Sequence, residues 1–146
     1  MDNIDRKLIN LLQENARYSI KQLADRVYLS PPAITARIEK LEKEGIIKSS
    51  MIITDLKKLG YHITAFINLE IEPKQKKEFY PFVESVENVL ECNCVTGVYS
   101  MLMKVAFPST EELDKFIGKL QMFGRTQTQV VFCNSVPIRG MKLHIE

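Results

Sequence analysis

The chain has 146 residues, of which 45% are hydrophobic and 26% charged, and this composition is typical of a globular protein. Its length fits one ordinary domain or two small ones. The net charge of +2 is too small to indicate a nucleic-acid partner by itself, although residues 1–50, with 9 Lys and Arg against 7 Asp and Glu, carry all of the excess. No apolar run is long enough to span a bilayer, and the polar, acidic start Met1-Asp2-Asn3 is unlike a leader. Three cysteines, an odd number without an export signal, favour a cytoplasmic protein.

Residues 1–49 have the pattern of three short helices in close succession. Asp2 and Ser19 are placed to cap the first two, and Ser30-Pro31 combines a capping hydroxyl with a proline whose missing N–H costs nothing at a helix start. Gly45 ends the third helix. Apolar residues line the inner faces of the first two helices at helical spacing, at Ile4, Leu8, Leu11 and Leu12 and at Ile20, Leu23, Ala24 and Val27.

Two β-like runs follow the third helix. They are Ile46-Ile47 and Met51-Ile52-Ile53, both short and rich in isoleucine. We expect them to form a two-stranded wing, and we expect residues 50–60 to be a linker strand between the two halves of the chain.

From about residue 61 the hydrophobic pattern changes from helical to alternating. The order β-α-β-β-α-β that it predicts is the ferredoxin-like arrangement. The fold class is therefore α+β, with an N-terminal winged helix-turn-helix at 1–49 and a C-terminal ferredoxin-like βαββαβ domain at 61–146. The second domain is predicted to contain strands at 62–71, 89–95, 99–107 and 128–136, helices at 75–86 and after a capping Ser109, and a short edge at Met141–Ile145.

The second and third helices resemble a DNA-reading helix-turn-helix. Such helices cross closely, which requires a small residue at the contact, and Ala24 is that residue. The turn Tyr28-Leu29-Ser30 is as short as the motif requires. Tyr28 stands where glycine is often preferred, so a left-handed backbone there would cost about 1–2 kcal/mol. An ordinary αα-hairpin with small residues is the alternative.

Helical geometry indicates which side of the third helix faces DNA. Ile34, Ile38 and Leu41 share the inward face. On the other side, small apolar residues suit thymine methyl groups, basic residues suit phosphates, and the helix N-terminus offers backbone N–H groups. This face should read sequence loosely; a merely solvated charged face is the alternative, which we favour for Lys43. The predicted DNA-binding residues are Ser30, Pro31, Pro32, Ala33, Thr35, Ala36, Arg37 and Lys40.

Taken together, these motifs resemble the Lrp/AsnC, or feast/famine, family of transcriptional regulators. The resemblance covers nearly the whole chain, and it rests on Asp2-x-x-Asp5-x-x-Leu8-x-x-Leu11-x-x-Asn15-x-Arg17, Leu23-Ala24, Leu29-Ser30-Pro31, Arg37-x-x-x-Leu41-x-x-x-Gly45-Ile46-Ile47, Val95-Thr96-Gly97-Val98-Tyr99 and Thr128. It implies a regulator that binds double-stranded DNA, responds to a small effector, usually an amino acid, and forms homodimers that assemble into octamers or similar arrays.

The resemblance also places an effector site at Thr96, Gly97, Val98, Tyr99 and Ser100. In the family the turn usually reads Gly-x-Tyr-Asp, whereas this chain has Ser100 at the last position. Glycine lets a ligand approach main-chain N–H groups, and serine forms hydrogen bonds but carries no charge. We therefore expect weak binding of ordinary amino acids or a response to another ligand, the alternative being that backbone groups do most of the holding.

Both faces of the predicted sheet carry apolar residues. Phe66 lies opposite Ile63, Ala65, Ile67 and Leu69 in the first strand, and Leu102 and Ala106 lie opposite Met101, Met103, Val105 and Phe107 in the third. Two helices can cover only one face. We expect a second copy of the chain to cover the other.

Other constellations are weaker. Cys92 and Cys94 lie on one side of a strand and, with Cys133, could form a metal or redox site, but buried cysteines that act as small hydrophobes are the simpler interpretation. No phosphate loop, zinc-protease motif or nucleophile elbow occurs, so we expect no catalytic residues, metal or cofactor. The rival hypothesis is a small-molecule enzyme or sensor on the ferredoxin-like half that does not bind DNA.

Overall fold

The computed structural model describes residues 1–145 and divides the chain into two compact units. One unit contains Met1–Ile52 together with the C-terminal segment that starts at Val136, and the other contains Ile53–Ser135. The sequence places the segment after Val136 with the second domain, so the units differ from the expected boundaries there. Among the described residues, none of the helices has the length and apolar character needed to cross a membrane.

The first unit contains the three predicted helices: α1 (Asn3–Glu14), α2 (Ile20–Val27) and α3 (Pro31–Lys43). Asp2 and Asp5 form a capping box at the start of α1, and Ser19 and Gln22 form another at the start of α2. Ser30 occupies the capping position of α3 as predicted, but its hydroxyl makes no capping hydrogen bond. Pro31, at the first helical position, needs no such partner for its own nitrogen.

The core of this unit lies where the three helices meet. Leu8, Leu23, Ala24, Val27 and Ile34 are all buried there, which confirms the predicted inner faces. Ala24 is 2% exposed, as a small residue at a close helix crossing should be.

The segment after α3 differs from the predicted wing. Gly45 has a φ of +70°, and the N–H groups of Ile46 and Ile47 both donate to the Leu41 carbonyl, at 2.9 and 3.1 Å. These hydrogen bonds close the C-terminus of α3, so the backbone of Ile46-Ile47 is used in a helix cap rather than a strand. The run Met51–Ile53 is exposed, and the described chain has no strand before residue 63. The predicted wing strands and linker strand are therefore wrong.

The second unit is a four-stranded antiparallel sheet with helices on one side. The elements are β1 (Ile63–Ile71), α4 (Lys76–Glu84), β2 (Val89–Cys94), β3 (Met101–Phe107), α5 (Thr110–Leu120) and β4 (Gly124–Val130). A short 3₁₀ turn, Pro73–Gln75, precedes α4. The strands lie in the order β2-β3-β1-β4, and chain order gives β-α-β-β-α-β, which confirms the ferredoxin-like topology.

The core of this unit lies between the sheet and the two helices. Ile67 of β1 and Met103 of β3 are directly opposite each other and fully buried, in the same apolar cluster as Phe79 of α4 and Leu120 of α5. The other face of the sheet is mixed, since Phe66, Leu102 and Ala106 alternate with polar residues such as Asn68 and Lys104. The two-sided pattern predicted from the sequence is thus present, with an open face that is less apolar than the covered one.

The last strand begins and ends earlier than predicted. β4 pairs with β1 from Gly124 to Val130, not over 128–136, and the described residues of 141–145 form no strand. The alternation of Thr and Gln in β4 hides the strand, because an edge strand with polar residues on both faces lacks the apolar period that the sequence analysis relied on. The apolar run that suggested the later position includes Phe132, which is 93% exposed.

Candidate nucleic-acid interface and effector site

The turn between α2 and α3 has the geometry of a helix-turn-helix. Tyr28 lies in the left-handed region, with φ 58° and ψ 45°, and its N–H donates to the Ala24 carbonyl. The N–H of Leu29 donates to the same carbonyl at 3.1 Å. This confirms that Tyr28 occupies the conformation that glycine adopts more easily. Its ring is exposed, and the Lys7 ammonium lies 5.6 Å from the ring centroid.

The exposed face of α3 carries most of the predicted DNA-binding residues. Ile34 and Leu41 are buried, and Ile38 is half-buried, which confirms the inward face. Ala33 is half-buried and borders the exposed surface. The exposed members of the set are Ser30, Pro31, Pro32, Thr35, Ala36 and Lys40. The structure therefore brings these side chains to one exposed surface of small apolar, hydroxyl and cationic groups.

Two of these exposed residues already have hydrogen-bond or ion-pair partners, one within α3 and one just after it. The Thr35 hydroxyl donates to the Pro31 carbonyl at 3.3 Å, one turn earlier. Lys40 lies 3.8 Å from Glu44, an exposed pair at helical spacing that contributes little stability. Both groups can exchange these weak contacts for DNA without a large cost.

Arg37 differs from its neighbours, because it is held by two carboxylates of α1. Its Nη1 donates to Asp2 Oδ2 at 2.7 Å and to Asp5 Oδ1 at 2.6 Å. The Asp5 side chain is only 6% exposed and that of Arg37 29%. An open cavity of about 480 Å³ adjoins this cluster, lined by Met1, Asp2, Asp5, Ala36, Arg37 and Lys40.

Hydrogen bonds within the cluster shift the pKa values of Asp2 and Arg37. The N–H of Asp5 and the Arg37 guanidinium hold the pKa of Asp2 below its usual range. Conversely, the hydrogen bonds from Arg37 to Asp2 and Asp5 raise the pKa of Arg37. Asp2 and Arg37 therefore carry full charge at neutral pH.

The predicted effector residues form the loop between β2 and β3. Gly97 has a φ of +108°, and the N–H of Val95 donates to the Ser100 carbonyl at 2.9 Å, which closes the loop. The Ser100 hydroxyl donates to the Ile71 carbonyl at 3.4 Å and so ties the loop to the end of β1. Thr96, Gly97 and Val98 are exposed. The five predicted residues are thus together, with Gly97 at a position that an L-residue would strain.

Two charged residues beside this loop were missed by the sequence analysis. The Arg125 guanidinium lies 5.6 Å from the ring centroid of Tyr99 and 3.1 Å from the Glu70 carboxylate. Glu70 and Arg125 are directly opposite in the β1–β4 register, so a correctly placed β4 would have paired them. A cavity of about 370 Å³ opens next to them, lined by Glu70, Glu72, Gln75, Gln121, Met122, Phe123, Gly124 and Arg125.

The cysteines do not form one site. Cys92 is half-buried against the sheet core, where burial raises the pKa of its thiol, and this confirms the hydrophobic interpretation for that residue. Cys94 and Cys133 are exposed, so the same interpretation is wrong for them. Lys76 Nζ lies 3.9 Å from Cys94 Sγ. Within residues 1–145 no group of three or more His, Cys, Asp or Glu side chains is arranged to hold a metal ion.

Comparison with known proteins covers both units. Residues 1–48 match the family described as winged helix-turn-helix DNA-binding, and residues 64–141 match the Lrp/AsnC ligand binding domain. The chain is 35% identical to the HTH-type transcriptional regulator LrpA of Bacillus subtilis over 132 residues, which is 90% of this chain and 97% of that protein.

Solved structures show the same relationship. The structure of B. subtilis LrpC is 28% identical, with a TM-score of 0.89 over 94% of this chain and 99% of that one. The structure of E. coli AsnC is 32% identical, with a TM-score of 0.86 over 98% and 99%. These relatives are transcriptional regulators rather than enzymes, which excludes the rival enzyme hypothesis. The chain belongs to the Lrp/AsnC family of helix-turn-helix transcriptional regulators.

Proposed function

We propose that this regulator binds double-stranded DNA with α3 in the major groove and reads sequence loosely. The observation that carries the proposal is the exposed surface of α3, where Pro32 and Ala36 offer methyl and methylene contacts and Lys40 offers a phosphate contact. No exposed Asn, Gln or Arg stands on α3 for bidentate base recognition. Such a role places the protein in the cytoplasm, with the DNA.

A selection from a random duplex library tests this function. The expected result is a degenerate consensus in which several positions tolerate two or more bases, read by gel shift of the full chain. Ala36→Asp, which places a carboxylate in the groove, should abolish binding, whereas Glu14→Gln, far along α1, should not. The proposal would be contradicted if the selection enriched no duplex above its level in the starting library.

Weak contacts per copy call for several linked copies on one DNA. Linking two binding events raises affinity by about 10²–10⁴ when the spacing fits. We therefore expect duplexes with two selected sites, one or two helical turns apart, to bind the full chain at least about a hundredfold more tightly than duplexes with one. Equal affinity for one and two sites would contradict multivalent binding.

The open face of the sheet supports a homodimer of this chain, and dimers in turn assemble into an octamer or a similar array. Phe66 and Leu102, both half-buried, form an apolar centre between polar residues on that face. Phe66→Glu should shift the assembly towards monomer in sedimentation velocity. Tyr80→Glu, which changes an exposed aromatic residue on α4, is the matched control. A wild-type chain that is monomeric at all accessible concentrations would contradict the proposal.

The loop 96–100 is proposed to bind a small effector of the amino-acid class. Gly97 leaves backbone N–H groups approachable by a carboxylate, and Glu70 and Arg125 supply charges of both signs beside Tyr99, which suits a zwitterion. Ser100 lacks the charge that the family pattern has at this position. A lost charged hydrogen bond weakens binding by about tenfold to a hundredfold, so ordinary amino acids should bind weakly or another ligand should act.

Calorimetric titration of an amino-acid panel tests the effector proposal. Ser100→Asp should tighten binding of at least one amino acid by about tenfold or more, and Ser135→Asp, which adds the same charge outside the loop, should leave binding unchanged. Micromolar binding by the wild type that Ser100→Asp does not alter would show that the departure at Ser100 has no functional meaning.

A further inference from the structure

Arg37 closes a cluster that joins the start of α1 to the middle of α3. In the capping box, the Asp5 N–H donates to Asp2 Oδ1 at 2.8 Å, and the Asp2 N–H donates to Asp5 Oδ2 at 3.0 Å. The remaining oxygen of each carboxylate accepts from the same Arg37 Nη1. All four carboxylate oxygens are therefore in use, and we call Asp2, Asp5 and Arg37 the Arg37 clasp.

The charge of the clasp is unfavourable for a phosphate. Two carboxylates and one guanidinium give the clasp a formal charge of −1, so the positive charge of Arg37 is already balanced within the clasp and any attraction for a phosphate at this cavity comes from Lys40 and the N-terminal ammonium. Withdrawing Arg37 to meet a phosphate would also leave Asp5, which is 4% exposed, as an unpaired buried carboxylate. Lys40, one turn further along α3 and exposed, has no such constraint.

The clasp also fixes geometry. α1 and α3 pack through apolar residues around Leu8 and Ile34, and the clasp adds two hydrogen bonds between the two helices. Apolar packing tolerates sliding and rotation more readily than two short, charge-assisted hydrogen bonds do. A rotation of α3 about its axis would move Pro32 and Ala36 out of register with the base edges.

From this geometry we propose that Arg37 is a positioning residue, which holds α3 at the angle that DNA discrimination requires and does not itself contact phosphate. The inference rests on the DNA-binding function proposed above. It separates two quantities that a phosphate contact would couple: the preference for the selected duplex over a random one, and the salt dependence of binding. Loss of the clasp lowers the preference and leaves the salt dependence unchanged.

The test measures both quantities for the full chain by fluorescence anisotropy over a range of NaCl concentrations. The probes are a duplex selected by the wild type from a random library and a scrambled duplex of equal length. The variants are Arg37→Gln, Asp5→Asn and Asp2→Asn. Asp2→Asn is the mildest, because asparagine also caps a helix and Asp5 still pairs with Arg37. Glu14→Gln makes the same change of charge on α1 outside the clasp, and Lys40→Gln shows the effect of losing a phosphate contact.

All three clasp variants should lower the preference for the selected duplex. The expected loss is about twofold to fivefold for Asp2→Asn, the partner that is half-exposed, and about tenfold or more for Arg37→Gln. Their salt slopes should equal that of the wild type, whereas Lys40→Gln should reduce the slope by about 0.9 for each bound copy. If Arg37→Gln or Asp5→Asn does not fold, Asp2→Asn decides.

The inference would be overturned if Asp2→Asn and Arg37→Gln changed the salt dependence of DNA binding in opposite directions. If Arg37 is a phosphate contact restrained by the carboxylates, Asp2→Asn tightens binding to both duplexes and steepens the salt slope, and Arg37→Gln reduces that slope as Lys40→Gln does. The inference is also contradicted if Asp2→Asn keeps the wild-type preference for the selected duplex, or if Glu14→Gln lowers that preference as much as Asp2→Asn does. Failure of the wild type to prefer any duplex would instead refute the proposed DNA-binding function.

Discussion

Asn10 of α1 holds the C-terminal segment, and its replacement should loosen both α1 and that segment. The Asn10 amide donates to the Leu143 carbonyl at 2.8 Å, and its oxygen accepts from the Leu143 N–H at 2.8 Å. Arg6 adds a hydrogen bond to the His144 carbonyl at 2.9 Å, but this one is exposed. The side chain of Asn10 thus pairs with Leu143 as a neighbouring strand would.

The magnitude follows from the two partly buried hydrogen bonds. Each contributes about 0.5–1.5 kcal/mol, so Asn10→Ala should lower the free energy of opening of this contact by about 1–3 kcal/mol. That change corresponds to a loss of amide-exchange protection of about fivefold to a hundredfold. Asn10→Asp should have an effect of similar sign, because it loses the donor and places a carboxylate oxygen against the Leu143 carbonyl.

Hydrogen exchange followed by mass spectrometry measures the effect by segment. We expect faster exchange in peptides that cover 3–14 and the C-terminal segment, with no change in the sheet. Asn68→Ala, which removes the same amide from β1, should leave exchange in α1 as in the wild type. Unchanged exchange in α1 of Asn10→Ala would refute the assignment of the C-terminal segment to the helical unit.

Four further substitutions test the stability of the two units. A Cβ at Gly124 would overlap the Glu70 carbonyl oxygen, so Gly124→Ala should destabilise the sheet unit by about 1–3 kcal/mol in urea unfolding. Gly118 lies in open space within α5, so Gly118→Ala should stabilise the same unit by about 0.5–1 kcal/mol. A Gly118→Ala protein less stable than Gly124→Ala would contradict the packing. Gly45→Ala should destabilise the helical unit by about 1 kcal/mol, because φ at this position is +70°. An unchanged midpoint of urea unfolding would show that the backbone there relaxes. Because the pKa of Asp2 is lowered in the folded chain, its contribution to stability is present at neutral pH and is lost as the pH falls through the folded pKa. Asp2→Asn should therefore lose less stability in acid than the wild type. Equal dependence of the free energy of unfolding on pH in the two proteins would contradict the pairing.

Local patterns were sufficient for most of the fold. Asp2 and Ser19 mark the first two helix starts because capping side chains act within one turn, and Pro31 marks the third because proline fits the first helical position. The period change at residue 61 marks the sheet because side-chain alternation is also local. The wing was mispredicted because isoleucine is frequent in strands, whereas the N–H groups of Ile46 and Ile47 donate to the Leu41 carbonyl and cap α3 instead.

The functional residues were harder to predict, because their partners lie far away in sequence. Helical geometry placed Arg37 on a flank of α3 but says nothing about Asp2 and Asp5, which lie 35 and 32 residues earlier. A signal was present in the spacing Asp2-x-x-Asp5, since a capping box needs only one oxygen of each carboxylate and leaves the other for a cation. Likewise, Glu70 and Arg125 pair only once the register of β4 is known.

The fate of Arg37 bears on how the regulator achieves useful affinity. α3 carries Arg37, Lys40 and Lys43 as its cations, and if the clasp retains the first, two remain for phosphates in each copy. Each phosphate contact contributes about 0.9 to the salt slope, so α3 of one copy supplies a slope of at most about 2, too little for tight binding at physiological salt. Affinity must then increase with the number of copies that engage one duplex. The slope measured for the assembled protein, divided by that for a single site, therefore counts the copies bound, and an integer ratio above one is the signature of linked binding.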